Sequence, residues 1–142
     1  ANMPNREKLR NFLRQPITTV PDPFNKHKNY ARHNEAEIEE ILPTLNINPE
    51  YIYQHKKYEN CDYADYLKTA MQKRKQIIAI LNKYRKDPLP EDWYPVTIFC
   101  SKCQKDSTKI TEYNNNYTIT YKCLGCKNKE TFDIRKKGII KV

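Results

Sequence analysis

Four cysteines in two closely spaced pairs are the residues of this chain best suited to chemistry. Cys100 and Cys103 form one pair, Cys123 and Cys126 form the other, and nineteen residues separate the pairs. Two residues between thiols allow one tight turn to direct both sulfurs at a single ion, and a hairpin can return the second turn beside the first. Four thiolates close a tetrahedral shell and leave no position for water, so the pattern predicts a structural zinc site. The alternative is four free or redox-active thiols.

The other reactive side chains do not form the pattern of an active site. Cys61 has no second thiol nearby, and we expect it to be a passive small hydrophobe rather than a reactive thiol. His27 and His33 are six residues apart, a spacing that does not place them on one helix face, and we expect them, like His55, to be surface or capping residues rather than catalysts. The chain contains no GxGxxG, Walker lysine or GxSxG motif. Local chemistry alone therefore indicates no active site.

The chain is strongly basic, with 26 Lys and Arg against 17 Asp and Glu and a formal net charge of +9. A basic surface attracts phosphate polyanions, and together with the zinc module this favours a nucleic acid partner over a merely lysine-rich protein. No apolar run approaches the ~20 residues that span a bilayer, and the first residues lack a hydrophobic signal core. We therefore expect a cytoplasmic protein with reduced thiols.

The elements before residue 90 are predicted to be mainly helical. Residues 4–7 should open a short helix, residues 30–45 and 62–86 should form two longer helices, and residues 51–53 should form a short strand. A helix followed by a strand suggests part of an open α/β sheet. The apolar residues expected to be buried are Ile38, Ile41, Leu42 and Leu45 on the first long helix, and Tyr63, Leu67, Ala70, Met71, Ile77, Ile78 and Leu81 on the second.

After Trp93 the composition changes to segments rich in β-branched and aromatic residues. The pattern predicts strands over residues 96–99, 108–113, 117–122, 130–134 and 139–142. Residues 114–116, three consecutive asparagines, should form a hairpin tip, because asparagine tolerates positive φ. Gly125 should allow a backbone N–H to approach a cysteine sulfur closely.

Several stretches of this chain, in order, resemble the class I lysyl-tRNA synthetases of archaea and some bacteria. The match covers nearly the whole chain, and its ordered set of motifs is specific although no single motif is decisive. One departure is that Asn25 and Lys26 stand where a glycine-containing turn is expected. The matching stretches are residues 2–6, 20–24, 27–34, 58–66, 73–74, 77–81 and 90–95, then both cysteine pairs, and finally residues 133–135 with Gly138 and Lys141.

The resemblance implies an enzyme that activates lysine with ATP and Mg²⁺ and then charges tRNA-Lys. Its two ATP signature motifs, of the HIGH and KMSKS types, are not in this chain. The resemblance therefore implies an internal fragment that is inactive by itself, monomeric and without a membrane partner. The four cysteines carry over as zinc ligands, whereas no catalytic residue carries over.

The resulting fold class is α/β plus a small β zinc ribbon. Residues 1–89 would be part of the catalytic core, a partial Rossmann-type scaffold of helices and a short strand. Residues 90–142 would be a connective insertion, an antiparallel zinc module of treble or ribbon type.

Five lysines near the cysteine pairs are candidate contacts for tRNA phosphates, and a purely structural strut is the alternative. A stand-alone zinc-ribbon adaptor that binds nucleic acid or protein is a second hypothesis for the whole chain, and a thiol redox protein is a third. The candidate lysines are Lys102, Lys105, Lys109, Lys122 and Lys127.

Overall fold

The computed structural model describes residues 3–137 and separates into two compact units, with the chain boundary between His55 and Lys56. The sequence placed a boundary at 89/90 instead. The observed boundary lies earlier because Ala64, Leu67 and Met71, on one helix, share a core with the strands. The assignment of residues 1–89 to a catalytic core and of residues 90–142 to an insertion stays a prediction.

The first unit contains a short helix α1 (Arg6–Leu9), continued by a 3₁₀ turn (Arg10–Phe12), and one long helix α2 (Tyr30–Thr44). Asn29 caps α2 through its side-chain oxygen, which accepts the Arg32 N–H at 2.8 Å. Both helices were predicted. The strand predicted at 51–53 is wrong, because these residues form no regular structure and helix α3 (Gln54–Glu59) follows directly.

The predicted apolar face of α2 is exposed rather than buried. Ile38, Ile41 and Leu45 are 54 %, 56 % and 61 % exposed, whereas the buried residues of the helix are His33 and Ala36. Burial of that face requires a second layer, and no strand lies in the described part of the first unit. The described residues of the first unit therefore contain no part of the expected open sheet, and the α/β class holds through helices and a three-stranded antiparallel sheet in the second unit.

In the second unit, two helices replace the single one predicted over 62–86. Helix α4 (Ala64–Gln72) and helix α5 (Arg74–Leu81) are separated at Lys73, whose backbone leaves helical geometry with φ −92° and ψ 11°. Arg74 donates to the carbonyls of Glu91 and Trp93 at 2.5 and 3.2 Å. The guanidinium thereby ties the start of α5 to the segment that precedes the first cysteine pair.

The second unit also contains an antiparallel sheet in the order β1 (Thr108–Tyr113), β2 (Thr118–Cys123) and β3 (Lys129–Asp133), with a bulge in β1. These strands confirm three of the five predicted. The segment 96–99 forms only an isolated bridge, and residues 139–142 lie outside the described residues. The asparagine tip is confirmed, since the Asn114 side chain accepts the N–H groups of Asn116 and Thr118 and Asn115 has φ 61°.

The core of the second unit lies between α4 and the inner face of β2. Alternation along β2 directs three side chains inward, and they pack with residues of α4 and of the segment before the first cysteine pair. No helix among residues 3–137 is long and apolar enough to cross a membrane. The buried core residues are Ala64, Leu67, Met71, Val96, Ile98, Cys100, Ile119, Tyr121, Cys123 and Ile134.

Candidate metal centre

The fold brings all four predicted cysteines together. Their sulfur atoms all lie within 4.8 Å of one another. Across the two pairs, the Cys100 and Cys126 sulfurs are 3.5 Å apart and the Cys103 and Cys123 sulfurs are 3.7 Å apart. A zinc ion bound at ~2.3 Å to each of four tetrahedral sulfurs separates them by about 3.8 Å. The cluster therefore has the spacing and donor chemistry to hold one such ion.

Each cysteine pair lies in a tight backbone turn that ends in a left-handed residue. In the first turn the Gln104 N–H donates to the Cys100 carbonyl at 2.7 Å, and Gln104 has φ 59°. In the second turn Lys127 has φ 63°, and the Cys126 N–H points to the Cys123 sulfur at 3.5 Å. The residue that follows each pair reverses the chain, which keeps both sulfurs of the pair on one side.

Gly125 is not required by lack of space for a side chain, which is a usual reason for a glycine in a turn. An added Cβ there would lie 3.8 Å from the Cys123 sulfur, which is ordinary van der Waals contact. The Gly125 N–H does face the Cys123 sulfur and helps lower the pKa of that thiol, as expected from the sequence. The position that strains an L-residue in this turn is Lys127 rather than Gly125.

The cluster affects the thiol pKa values in opposite directions. Burial raises the pKa of Cys100, but the N–H groups of Cys103 and Lys102 that face its sulfur, together with hydrogen bonds from the thiols of Cys126 and Cys103, outweigh burial and lower that pKa to about 6. For Cys103, burial and the neighbouring sulfurs raise the pKa to about 12. Four thiolates this close repel one another, and a dication among them would stabilise all four in the ionised form.

The candidate lysines do not form one cluster. Lys109 and Lys122 are cross-strand partners, and the register continues the row to Lys129 on β3, which the sequence interpretation did not name. Lys109 pairs with Asp92 at 2.6 Å, and this hydrogen-bonded ion pair raises the pKa of the lysine and lowers that of the carboxyl. Only strand register could have revealed the row, because its members are far apart in sequence.

The remaining candidate lysines surround the two cysteine turns. Lys102 is exposed within the first turn and Lys105 is half-buried after it. The Lys127 amine donates to the Leu124 carbonyl at 2.9 Å, inside the second turn. Cys61 lies half-buried at the edge of the core, with φ 63°, and is not one of the four clustered thiols.

In the first unit, Asp22 organises the loop that departs from the family pattern. Its buried carboxylate accepts the N–H groups of Phe24, Lys26 and His27 at 2.8–3.0 Å. Despite the opposing effect of burial, these bonds lower the pKa of Asp22 to about 2. Asn25 has φ 56°, so it adopts the left-handed conformation expected of the missing glycine. The sequence signal for this turn is an aspartate placed between two prolines.

The histidines make structural contacts. His33 is buried, contrary to the expected surface or capping position, with Nδ1 3.2 Å from the Asp22 carboxylate and its ring 4.6 Å from the Phe24 ring. The His27 ring lies edge-on to His33 at 5.5 Å. His55 lies at the other end of the unit, with Nδ1 3.6 Å from a carboxylate oxygen of Glu35. Within residues 3–137, the hydrogen-bonding partners of His33 and His55 are carboxylates, and neither histidine pairs with a nucleophilic side chain.

Comparison with known proteins adds to this geometry. The profile of a family described as class I tRNA synthetases (K) matches residues 1–142. The chain is 47 % identical over 141 residues to a lysine–tRNA ligase of Borrelia garinii subsp. bavariensis, and 40 % identical over 143 residues to one of Treponema pallidum; each alignment covers 99 % of this chain and 27 % of the relative. It is also 33 % identical over 121 residues, or 82 % of this chain, to a lysine–tRNA ligase of Pyrococcus horikoshii, of which it covers 23 %. The chain thus spans about a quarter of the length of the relatives it matches.

Proposed function

The chain belongs to the class I tRNA synthetase family, and from this premise we propose that it is one part of a lysine–tRNA ligase. The observation that carries the proposal is the continuous similarity over 99 % of the chain to proteins named lysine–tRNA ligase. Relatives with this name occur in both bacteria and archaea. We place the enzyme in the cytoplasm, where tRNA is charged.

The exposed face of α2 supports the view that more polypeptide surrounds this part. Ile38, Ile41 and Leu45 lie on one side of the helix with large exposed fractions. Apolar patches of this kind are uncommon on free surfaces and typically mark contacts. Because the relatives extend over about four times the length of this chain, the rest of the enzyme is the proposed occupant.

The whole enzyme would bind lysine, ATP and Mg²⁺, form lysyl-adenylate and transfer lysine to tRNA-Lys. This part contains neither ATP signature motif, so its proposed contribution is scaffold and zinc module. Zn²⁺ held by Cys100, Cys103, Cys123 and Cys126 would be structural, because four sulfurs complete its coordination. Bound there, it would supply a cross-link between the two turns rather than a reactive centre.

The lysines around the zinc module are the proposed contacts for tRNA phosphates. Lys122 is the central member of the cross-strand row, and its two lateral neighbours are also lysines. Like charges placed directly opposite each other on a sheet are destabilising. Ion pairs with Asp92 and Glu112 offset the charges of Lys109 and Lys129, respectively, but no ion pair to Lys122 is found among residues 3–137. A tRNA phosphate would offset the charge of Lys122 in the same way.

Lysine-dependent exchange of pyrophosphate into ATP by the full-length parent protein tests the proposed activity. We expect exchange when lysine is present and none when arginine or ornithine replaces it. In the complete reaction we expect charging of tRNA-Lys. Metal analysis of protein purified without chelator should give one zinc per chain. Absence of lysine-dependent exchange, together with retained binding to RNA, would favour the stand-alone adaptor instead.

The phosphate contacts require a separate test in the same enzyme. We expect alanine at Lys102, Lys122 and Lys127 together to raise the KM for tRNA while lysine-dependent pyrophosphate exchange stays unchanged. Three exposed lysines in and after α5 (Lys75, Lys83 and Lys86) provide the matched control, because the same charge is lost. An equal effect of both triple variants on the KM would contradict a specific role for the zinc module.

A further inference from the structure

The side chain of Tyr121 joins the two cysteine turns. It lies on β2, two residues before Cys123, and is fully buried with 0 % exposure. Its phenol oxygen accepts the N–H of Ser101, the residue that follows Cys100, at 3.0 Å. One rigid ring therefore spans from the strand that leads into the second turn to the backbone of the first.

Glu130 orients the hydroxyl of this tyrosine. Glu130 is the direct cross-strand partner of Tyr121, and its carboxylate accepts the phenol O–H at 2.8 Å. The same carboxylate oxygen accepts the Ser101 hydroxyl. The phenol has a single proton, and the Glu130 carboxylate at 2.8 Å is a closer and more strongly accepting partner for it than the Ser101 Oγ at 3.2 Å, so a phenol lone pair faces the Ser101 N–H. The carboxylate thus fixes which way the hydrogen bond runs.

We propose that Tyr121, oriented by Glu130, is a positioning residue that holds the two cysteine turns at the separation a metal ion needs. This inference rests on the proposed binding of zinc. The two sulfur pairs across the turns are 3.5 and 3.7 Å apart, close to the edge of a zinc–sulfur tetrahedron. Groups that orient the ligands of a metal site typically affect metal affinity by about 10–100-fold when they are removed.

Tyr121→Phe removes only the hydroxyl and leaves the Ser101 N–H without its acceptor. We expect this variant to bind zinc about 10–100-fold more weakly than wild type in competition with a chromophoric chelator. Tyr113→Phe is the matched control. The Tyr113 hydroxyl donates to the Asn116 carbonyl at 2.8 Å, at the hairpin end of the same sheet. We expect Tyr113→Phe to change the zinc affinity less than threefold. Both variants should lower the urea midpoint of the zinc-loaded chain.

A second pair of variants keeps the test decisive if Tyr121→Phe does not fold. Glu130→Ala removes the acceptor that orients the phenol and should weaken zinc binding, whereas Glu130→Gln retains an acceptor oxygen and should restore most of the affinity. Wild-type affinity in both Tyr121→Phe and Glu130→Ala would overturn the inference, as would an equal loss in Tyr113→Phe. Failure of the wild-type chain to bind zinc would overturn the zinc proposal as well, so the two failures are distinguishable.

Discussion

Replacing Lys127 by glycine should stabilise the second unit. Lys127 follows Cys126 with φ 63°, a conformation that costs an L-residue about 1–2 kcal/mol. Glycine avoids this cost but loses more backbone entropy on folding, by about 0.5–1 kcal/mol. The difference leaves a net gain of about 0.5–1 kcal/mol. For a unit of 60–100 residues, this corresponds to a rise in Tm of about 2–8 °C.

Lys127→Ala is the control that separates conformation from charge. Both variants lose the positive charge and the 2.9 Å hydrogen bond from the lysine amine to the Leu124 carbonyl. Only alanine retains the cost of the left-handed backbone, so the glycine–alanine difference gives that cost minus the extra entropy that glycine loses, free of any effect of charge. Thermal and urea unfolding of the zinc-loaded chain can be followed through the fluorescence of Trp93, the single tryptophan.

The reasoning would be refuted if Lys127→Gly were no more stable than Lys127→Ala. The equivalent position of the first turn, Gln104 with φ 59°, provides an independent repeat. We expect Gln104→Gly to exceed Gln104→Ala in stability by a similar amount. A gain at one position only would show that the two turns do not share the same backbone constraint.

Three further changes have directions that follow from the structure. The pKa of Asp22 is lowered from 3.8 to about 2, so its contribution to stability is complete above pH 4 and is lost as the pH falls through 2. In urea titrations at pH 2–5, Asp22→Asn should therefore make the stability less dependent on pH. An unchanged pH dependence would contradict the assignment. Met71 is 1 % exposed, and Met71→Ala should lower the free energy of unfolding by about 2–5 kcal/mol. Tyr66 is 74 % exposed, and Tyr66→Ala should lower it by less than ~0.5 kcal/mol. Equal losses in the two variants would be inconsistent with the observed core. Gly125→Ala should leave zinc affinity and Tm nearly unchanged, since its Cβ has room, and loss of zinc would show that the turn is tighter than described.

Local patterns predicted the elements whose cause is local. Helix α2 begins after Asn29 because an asparagine side chain caps it, and the hairpin turns at Asn114 and Asn115 because asparagine tolerates the backbone that a turn needs. The helix predicted over 62–86 failed at Lys73 because the pattern of apolar residues continues through the break. The contacts of Arg74 with the carbonyls of Glu91 and Trp93 lie seventeen residues and more along the chain, where periodicity carries no information.

By itself, the sequence identified the four cysteines whose sulfurs cluster, because a separation of two residues limits how far apart the two thiols of each pair can lie. It also determined the family, through ordered motifs along nearly the whole chain. Tertiary structure decided the rest: that α2 exposes its isoleucines, that Asp22 and His33 are buried together, and that Lys109, Lys122 and Lys129 form one row. The physical reason is that burial and strand register depend on what lies opposite a residue in space, and Tyr121 meets Ser101 only after the sheet has formed.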